Sequence, residues 1–203
     1  MKWSDSGGGS FEQPSVGTHV ARCVRVIDIG TQTNDYQGKT NTKRQCIIAW
    51  ELPTEIMQSG EKAGQPFLVG KFYTSSLNEK ANLRHDLANW RGRDFTPEEL
   101  KGFNPKNILD RACLLSLTEN DKGRAGITGV MALPKGAQVP ARVNEIVYFS
   151  LDEFDAAIFD SLSDGYKNLI MKSPEYQALS KQKAAAPRAG GAAFDDMDDD
   201  INF

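Results

Sequence analysis

The sequence has little of what enzymes and metal sites are built from. It holds two histidines, His19 and His85, and three cysteines, Cys23, Cys46 and Cys113, in 203 residues. Neither histidine sits beside a nucleophile motif, and no G-x-S-x-G, Walker A or H-E-x-x-H run occurs. With no catalytic constellation, no enzymatic activity and no cofactor are expected. The cysteines are far apart and lack Cys-x-x-Cys spacing, so neither a zinc site nor a disulfide framework is expected, which fits a reducing cytoplasm. His19 and Cys23 are four apart in an extended segment, where such side chains do not converge on one ion. We read the cysteines as buried thiols that behave as small hydrophobes. The aspartate block near residue 198 lacks the central glycine and closing glutamate of an EF-hand loop. No run of about 18 apolar residues exists, so no membrane span is expected. The stretch MKWSDSGGGSFEQPSVG has no apolar h-region after its single lysine, so it reads as a flexible Gly/Ser arm and not as a secretory signal.

What is present begins with an uneven charge. The chain carries 24 Lys+Arg against 27 Asp+Glu, a formal −3. Five of the acids, Asp195, Asp196, Asp198, Asp199 and Asp200, lie in the last ten residues. Without them 24 cations face 22 acids, so a mildly basic body stands under an acidic tip. Such asymmetry points to a polyanion-binding domain with an acidic tail, although +2 is also close to neutral.

The pattern along the chain is β first, helical last. Residues 1–17 form the arm. Segments 18–30, 43–52 and 66–75 read as strands. In the second, Arg44, Cys46, Ile48, Trp50 and Leu52 face one way and Lys43, Gln45, Ala49 and Glu51 the other. The polar stretch TQTNDYQGKTNT between the first two reads as a mobile hairpin loop. Ser76-x-x-Glu79 has the form of a capping box, Leu83, Leu87 and Trp90 share a helical face, and Gly92 ends that helix. Thr96-Pro97-Glu98-Glu99 starts a short second helix. Segments 111–120 and 126–134 read as strands, with 141–150 a candidate for one more. Ser150-x-x-Glu153 opens a helical stripe of Leu151, Phe154, Ile158 and Leu162, interrupted at Gly165 and restarted at Ser173-Pro174. We divide the chain into an arm (1–17), a folded domain (18–179), a Lys/Ala/Pro/Gly linker (180–193) and an acidic tip (194–203). Three strands, a helix, further strands and C-terminal helices make a mainly β fold. A closed or nearly closed OB-fold barrel is one candidate among small barrels.

Nucleic-acid binding is the chemistry best supported by residue types. Single strands are held by basic grooves and by aromatic faces on which bases stack. In the third strand Phe67, Val69, Lys71 and Tyr73 share one face, and Leu68, Gly70 and Phe72 the other. The first set has the composition of a stacking platform, and the second reads as core. Tyr36, Lys39, Lys43 and Arg44 from the loop and second strand, with Arg22 and Arg25 from the first, would line the same groove. The alternative is that Phe67 and Tyr73 pack under a helix while the lysines are solvated. Trp50 and Trp90 lie on apolar stripes and read as core.

The ending FDDMDDDINF poses a separate problem, since neither a solubility tail nor a core element combines such residues. An aromatic ring with a carboxylate is a compact anchor, and aspartates steer it to a basic rim. A polyanionic tip can also lie in its own protein's basic groove until nucleic acid displaces it.

These residues carry a resemblance. FDDMDDDINF resembles the tail of bacterial single-stranded DNA-binding proteins, an Asp-rich run closed by Asp-Asp-Asp-Ile-Pro-Phe. Asp198, Asp199, Asp200, Ile201 and Phe203 match it, and Asn202 stands where that tail has proline. The segments GTHVARCVRVIDIGTQ, IIAWELP, SLNEKANLRHDLANWRGRDFTPEEL, and LPKG followed by FSLDEFD and SPEY resemble phage-encoded single-stranded DNA-binding proteins over most of residues 17–179. The resemblance implies an OB-fold that coats and protects single-stranded DNA with little sequence preference. It implies a cytoplasmic role in the bacterial host during phage DNA replication, recombination and repair. The tip would recruit polymerase, helicase, nuclease or primase-type proteins, and self-association is compatible with this arrangement. The competing expectation is a protein-interaction adaptor whose tail mimics a host single-stranded DNA-binding protein without a DNA groove of its own.

Overall fold

The computed structural model of the chain describes residues 12–36, 38–121 and 123–185, with the side chains of Tyr36, Lys39 and residues 182–185 outside the description. The elements run β1 (Gly17–Tyr36), β2 (Lys39–Ile56), β3 (Pro66–Thr74), α1 (Asn82–Arg91), α2 (Pro97–Lys101), a single 3-10 turn (Pro105–Ile108), β4 (Ala112–Glu119), β5 (Ala125–Met131), β6 (Val147–Phe149), α3 (Ala156–Ser161), α4 (Asp164–Lys172) and α5 (Pro174–Ala185). The helices expected between the third and fourth strands and at the C-terminal end are present.

The strands form one antiparallel sheet in the order β3-β2-β1-β4-β5, and the short β6 adds to β1 in parallel. The expected closed barrel is not formed. The sheet is open, with β3 and β5 as its edges, which approach each other without a hydrogen-bonded ladder. Bulges between Cys23 and Arg25 and between Asp28 and Gly30 break the register of β1 with β2. Bulges bend a strand and increase its twist, so one strand can serve β4 through Gly17–Arg22 and β6 through Arg25–Ile27.

The polar stretch expected as a loop is instead a ribbon. β1 and β2 stay paired out to Tyr36 and Lys39. Cross-strand side chains hold it, with Thr33 Oγ1 and Thr42 Oγ1 3.2 Å apart and Thr40 Oγ1 donating to Asp35 at 2.5 Å. Threonine suits strands whichever way they face, so low hydrophobicity alone misled the reading.

The sheet buries two apolar layers, one on each face. Cys23, Val26, Ile48, Trp50, Leu52, Leu115 and Val130 fill the inner side beneath Leu87 and Trp90 of α1. Ile27, Ile29 and Ile47 on the outer side are covered by Phe149, Leu151, Phe159, Leu162 and Ile170. Trp50 and Trp90 are therefore core, as expected, with ring centroids 5.8 Å apart. Cys23 and Cys113 are buried thiols, Cys46 is half-buried, and all three are free. The outer layer docks at Gly30, whose φ of +70° favours glycine. A Cβ there would stand 2.5 Å from Ser173 Cβ and 2.8 Å from Leu151 Cδ1. Glu175 fixes the same junction by accepting from Thr31 N at 2.9 Å and Thr31 Oγ1 at 2.5 Å.

Capping motifs were half legible. Thr96 and Glu99 form the full reciprocal box at α2, and Gly92 ends α1 in the left-handed region. Ser76 and Ser150 instead close two-residue turns onto Asn78 N and Asp152 N. The helices that follow start later, at Asn82 and Ala156, the second capped by Asp155. α5 continues through Ser180 to Ala185, into the segment assigned from composition to the linker.

Candidate nucleic-acid interface

The register of β2 with β3 decides which face of β3 is available. Cys46 pairs with Tyr73, Ile48 with Lys71, Trp50 with Val69 and Leu52 with Phe67. Paired residues share a face, so the proposed platform follows the apolar stripe of β2 into the core. Phe67 is 8% exposed and Tyr73 3%, so neither ring offers a face to a base. Lys71 points the same way because α1 supplies a carboxylate. Asp86 Oδ2 accepts from Lys71 Nζ at 2.6 Å and from Tyr73 Oη at 2.7 Å. The ammonium also lies 5.4 Å from the Tyr73 ring centre. Burial first, and then Asp86, raise the Tyr73 pKa well above the ordinary phenol range, so the hydroxyl stays a donor. Packing under a helix, the alternative reading of Phe67 and Tyr73, is what occurs.

Two of the candidate arginines are also committed to neighbours. Arg44 binds Asp28 and lies 2.9 Å from Asp152 Oδ1. These hydrogen bonds, that to Asp28 first, raise its pKa further. It also lines a cavity of about 310 Å³ with Val26, Ile48, Leu87, Phe103 and Tyr148 among others. Arg22 donates to Asp110 Oδ1 at 3.2 Å and to the Pro140 carbonyl at 3.2 Å. The polar side assigned to β2 hides another anchor, because Glu51 is fully buried. Its carboxylate accepts from Val143 N at 2.9 Å, Asn144 N at 2.6 Å and Asn144 Nδ2 at 2.7 Å, which straps the segment before β6 across the sheet.

The face expected to be core is the accessible one. Phe72 is 56% exposed, and Gly70 is exposed beside it. Phe72 borders an open cleft of about 580 Å³ lined by Lys43, Gln45, Tyr73, Thr74, Ser76, Asn78, Lys80, Ala81 and Asn82. This lining holds two ammonium groups and no carboxylate among the described residues. Lys43 comes from the β1–β2 ribbon, and Lys80 and Asn82 from the approach to α1. Phe72 and Lys80 escaped the sequence reading. Gly70 was the available signal, since a strand glycine fills no core and marks close approach of another group.

Of the remaining candidates, Lys43 is exposed on the ribbon and Arg25 is half-buried on the same outer face as Gly70. The side chains of Tyr36 and Lys39 lie outside the described residues, as do Asp198, Asp199, Asp200, Ile201 and Phe203. Among the described residues no cluster of His, Cys, Asp and Glu could hold a metal ion, and no helix is long and apolar enough to cross a membrane. No protein-family model matches the chain, and no curated protein matches it.

Proposed function

We propose that the chain is a non-enzymatic binder of single-stranded DNA that acts with little sequence preference. The observation that carries this reading is the exposed Phe72 ring in a cleft that Lys43 and Lys80 also line and whose described lining holds no carboxylate. An aromatic face with flanking cations holds a base by stacking and its phosphates by charge, whatever the base. The OB-fold reading is supported by the strand order, by the helices between β3 and β4, and by the approach of β3 to β5. OB-folds are partly open barrels that bind oligonucleotides on the face of their second and third strands, between the first and the last hairpin loops. In this chain those parts are the Phe72 face, the ribbon, and the turn at Asn120–Arg124 with its exposed Arg124. The role in phage DNA replication, recombination and repair, and recruitment of replication proteins by the acidic tip, rest on the resemblance of the sequence.

The test is fluorescence anisotropy of a labelled oligothymidylate at two salt concentrations, with the full chain beside a chain ending at Ala193. We expect binding that weakens as salt rises, because phosphate contacts release counterions. Removing the acidic tip should tighten it. Salt-insensitive binding, or none, would overturn the reading and leave the adaptor in its place.

A further inference from the structure

We infer that the outer sheet face carries a phosphate seat formed by Arg25 of β1 and Tyr166 of α4, beside the Phe72 ring. This rests on the single-strand reading above and adds the C-terminal helical layer to the binding surface.

The seat is built on one cross-strand row. Arg25 pairs with Ala49, and Ala49 with Gly70. Ala49, buried, and Gly70, exposed, therefore make a floor that opens at its Gly70 end, with the half-buried Arg25 at its inner end. A Cβ on Gly70 would stand 3.5 Å from Tyr166 Oη, 3.6 Å from Ile47 Cγ2 and 3.9 Å from Ala49 Cβ. The Tyr166 hydroxyl thus overhangs the floor, while its ring packs against the outer apolar layer.

Arg25 is the telling residue. Its Nε is buried without a hydrogen-bond partner, and it forms no ion pair among the described residues. Arg22, on the same strand, and Arg44, on β2, each hold a carboxylate. A half-buried guanidinium left uncompensated is costly unless an anion completes it. Burial raises the Tyr166 pKa and keeps the hydroxyl a donor, and the nearby Arg25 is the charge that opposes this shift. A guanidinium fork and a hydroxyl donor together suit a phosphate oxygen pair. Phe72 is two residues along β3 from Gly70 on the same face, about 7 Å from the open end of the floor. A base stacked there leaves its own phosphate within reach of the seat.

The experiment is a salt series of anisotropy titrations with the full chain and labelled oligothymidylate, comparing Arg25→Gln, Tyr166→Phe and Phe72→Ala. Arg25→Gln should weaken binding about tenfold and flatten the slope of log K against log salt by about 0.7, one phosphate contact on a single strand. Tyr166→Phe should weaken it about threefold with the slope unchanged, since the hydroxyl carries no charge. The double variant should lose less than the product of the two, because both groups serve one phosphate. If Arg25→Gln fails to fold, Arg25→Lys keeps the charge and loses the fork, so affinity should fall with the slope preserved. Parental binding by the Arg25 and Tyr166 variants, with Phe72→Ala weakened, would overturn the seat and leave the stacking face standing. Parental binding by all three would overturn both. Unchanged oligonucleotide binding by Arg25→Gln, with weakened capture of a peptide FDDMDDDINF, would reassign the seat to acidic peptide and overturn the inference.

Discussion

Phe72 and Tyr73 are adjacent in the chain and lie on opposite sides of one strand, Phe72 56% exposed and Tyr73 3%. Their substitutions should separate binding from folding. Phe72→Ala should cost about 1–3 kcal/mol of single-strand affinity, the worth of one base–aromatic stack, with the melting temperature nearly unchanged. Tyr73→Ala should cost about 3–5 kcal/mol of stability and leave the affinity of the folded fraction intact. Thermal melts beside anisotropy titrations check both.

Asp86 serves two donors at once, so the three residues should not contribute additively. Tyr73→Phe removes one hydrogen bond to a charged group and should cost about 1.5–3 kcal/mol. Asp86→Ala should cost more than Tyr73→Phe, because it leaves an ammonium and a phenol without their partner. Denaturant unfolding of the single and double variants, read as a cycle, measures the coupling.

Gly30 should tolerate no side chain. Gly30→Ala brings a Cβ to 2.5 Å from Ser173 Cβ at a φ of +70°. We expect a loss of more than about 1 kcal/mol, and α4–α5 should loosen before the sheet does. Limited proteolysis that cuts first near residues 173–176, with the melting temperature lowered, is the expected result.

Asp94 and Glu99 should shape the acid limb of stability. The Arg84 hydrogen bond first, with the Phe95 amide, lowers Asp94 from 3.8 to about 2, and Arg93 first, with the Thr96 amide, lowers Glu99 from 4.5 to about 2. A depressed carboxyl stabilises the fold above its unfolded pKa and loses that contribution as pH falls through the folded value. The loss should therefore run from about pH 4.5 down to about pH 2. Asp94 is exposed and Glu99 only half-buried, and both pairs lie at the surface, so the effect is modest. Glu99→Gln should flatten that limb in melts taken across the window.

Much of the fold was legible because periodicity and caps are local. The strands β1 to β5, the Leu83–Leu87–Trp90 face, the Thr96–Glu99 box and Gly92 all follow from spacing. What failed was long-range. The face of β3 depends on its register with β2, and an aromatic–cation–aromatic alternation looks the same whether the cation meets solvent or Asp86. Glu51 reads as a surface residue until a loop more than ninety positions later supplies its donors. The stretch 31–42 reads as loop because its threonines and asparagines pair across strands without burying apolar surface. Arg25 and Lys43 are candidates the sequence names and the proposed interface keeps; Phe72, Lys80 and Tyr166, which the proposal adds, need the register and the helical layer.

The most direct measurement is photocrosslinking of a halogenated-uracil oligonucleotide to the full chain, with the attached peptide identified by mass spectrometry. If the exposed outer face of β3 beside the ribbon holds the strand, the adduct falls on the peptide containing Phe72, and excess unlabelled oligonucleotide removes it. Adducts confined to other elements, with Phe72 unmodified, would contradict the placement of the strand on this face.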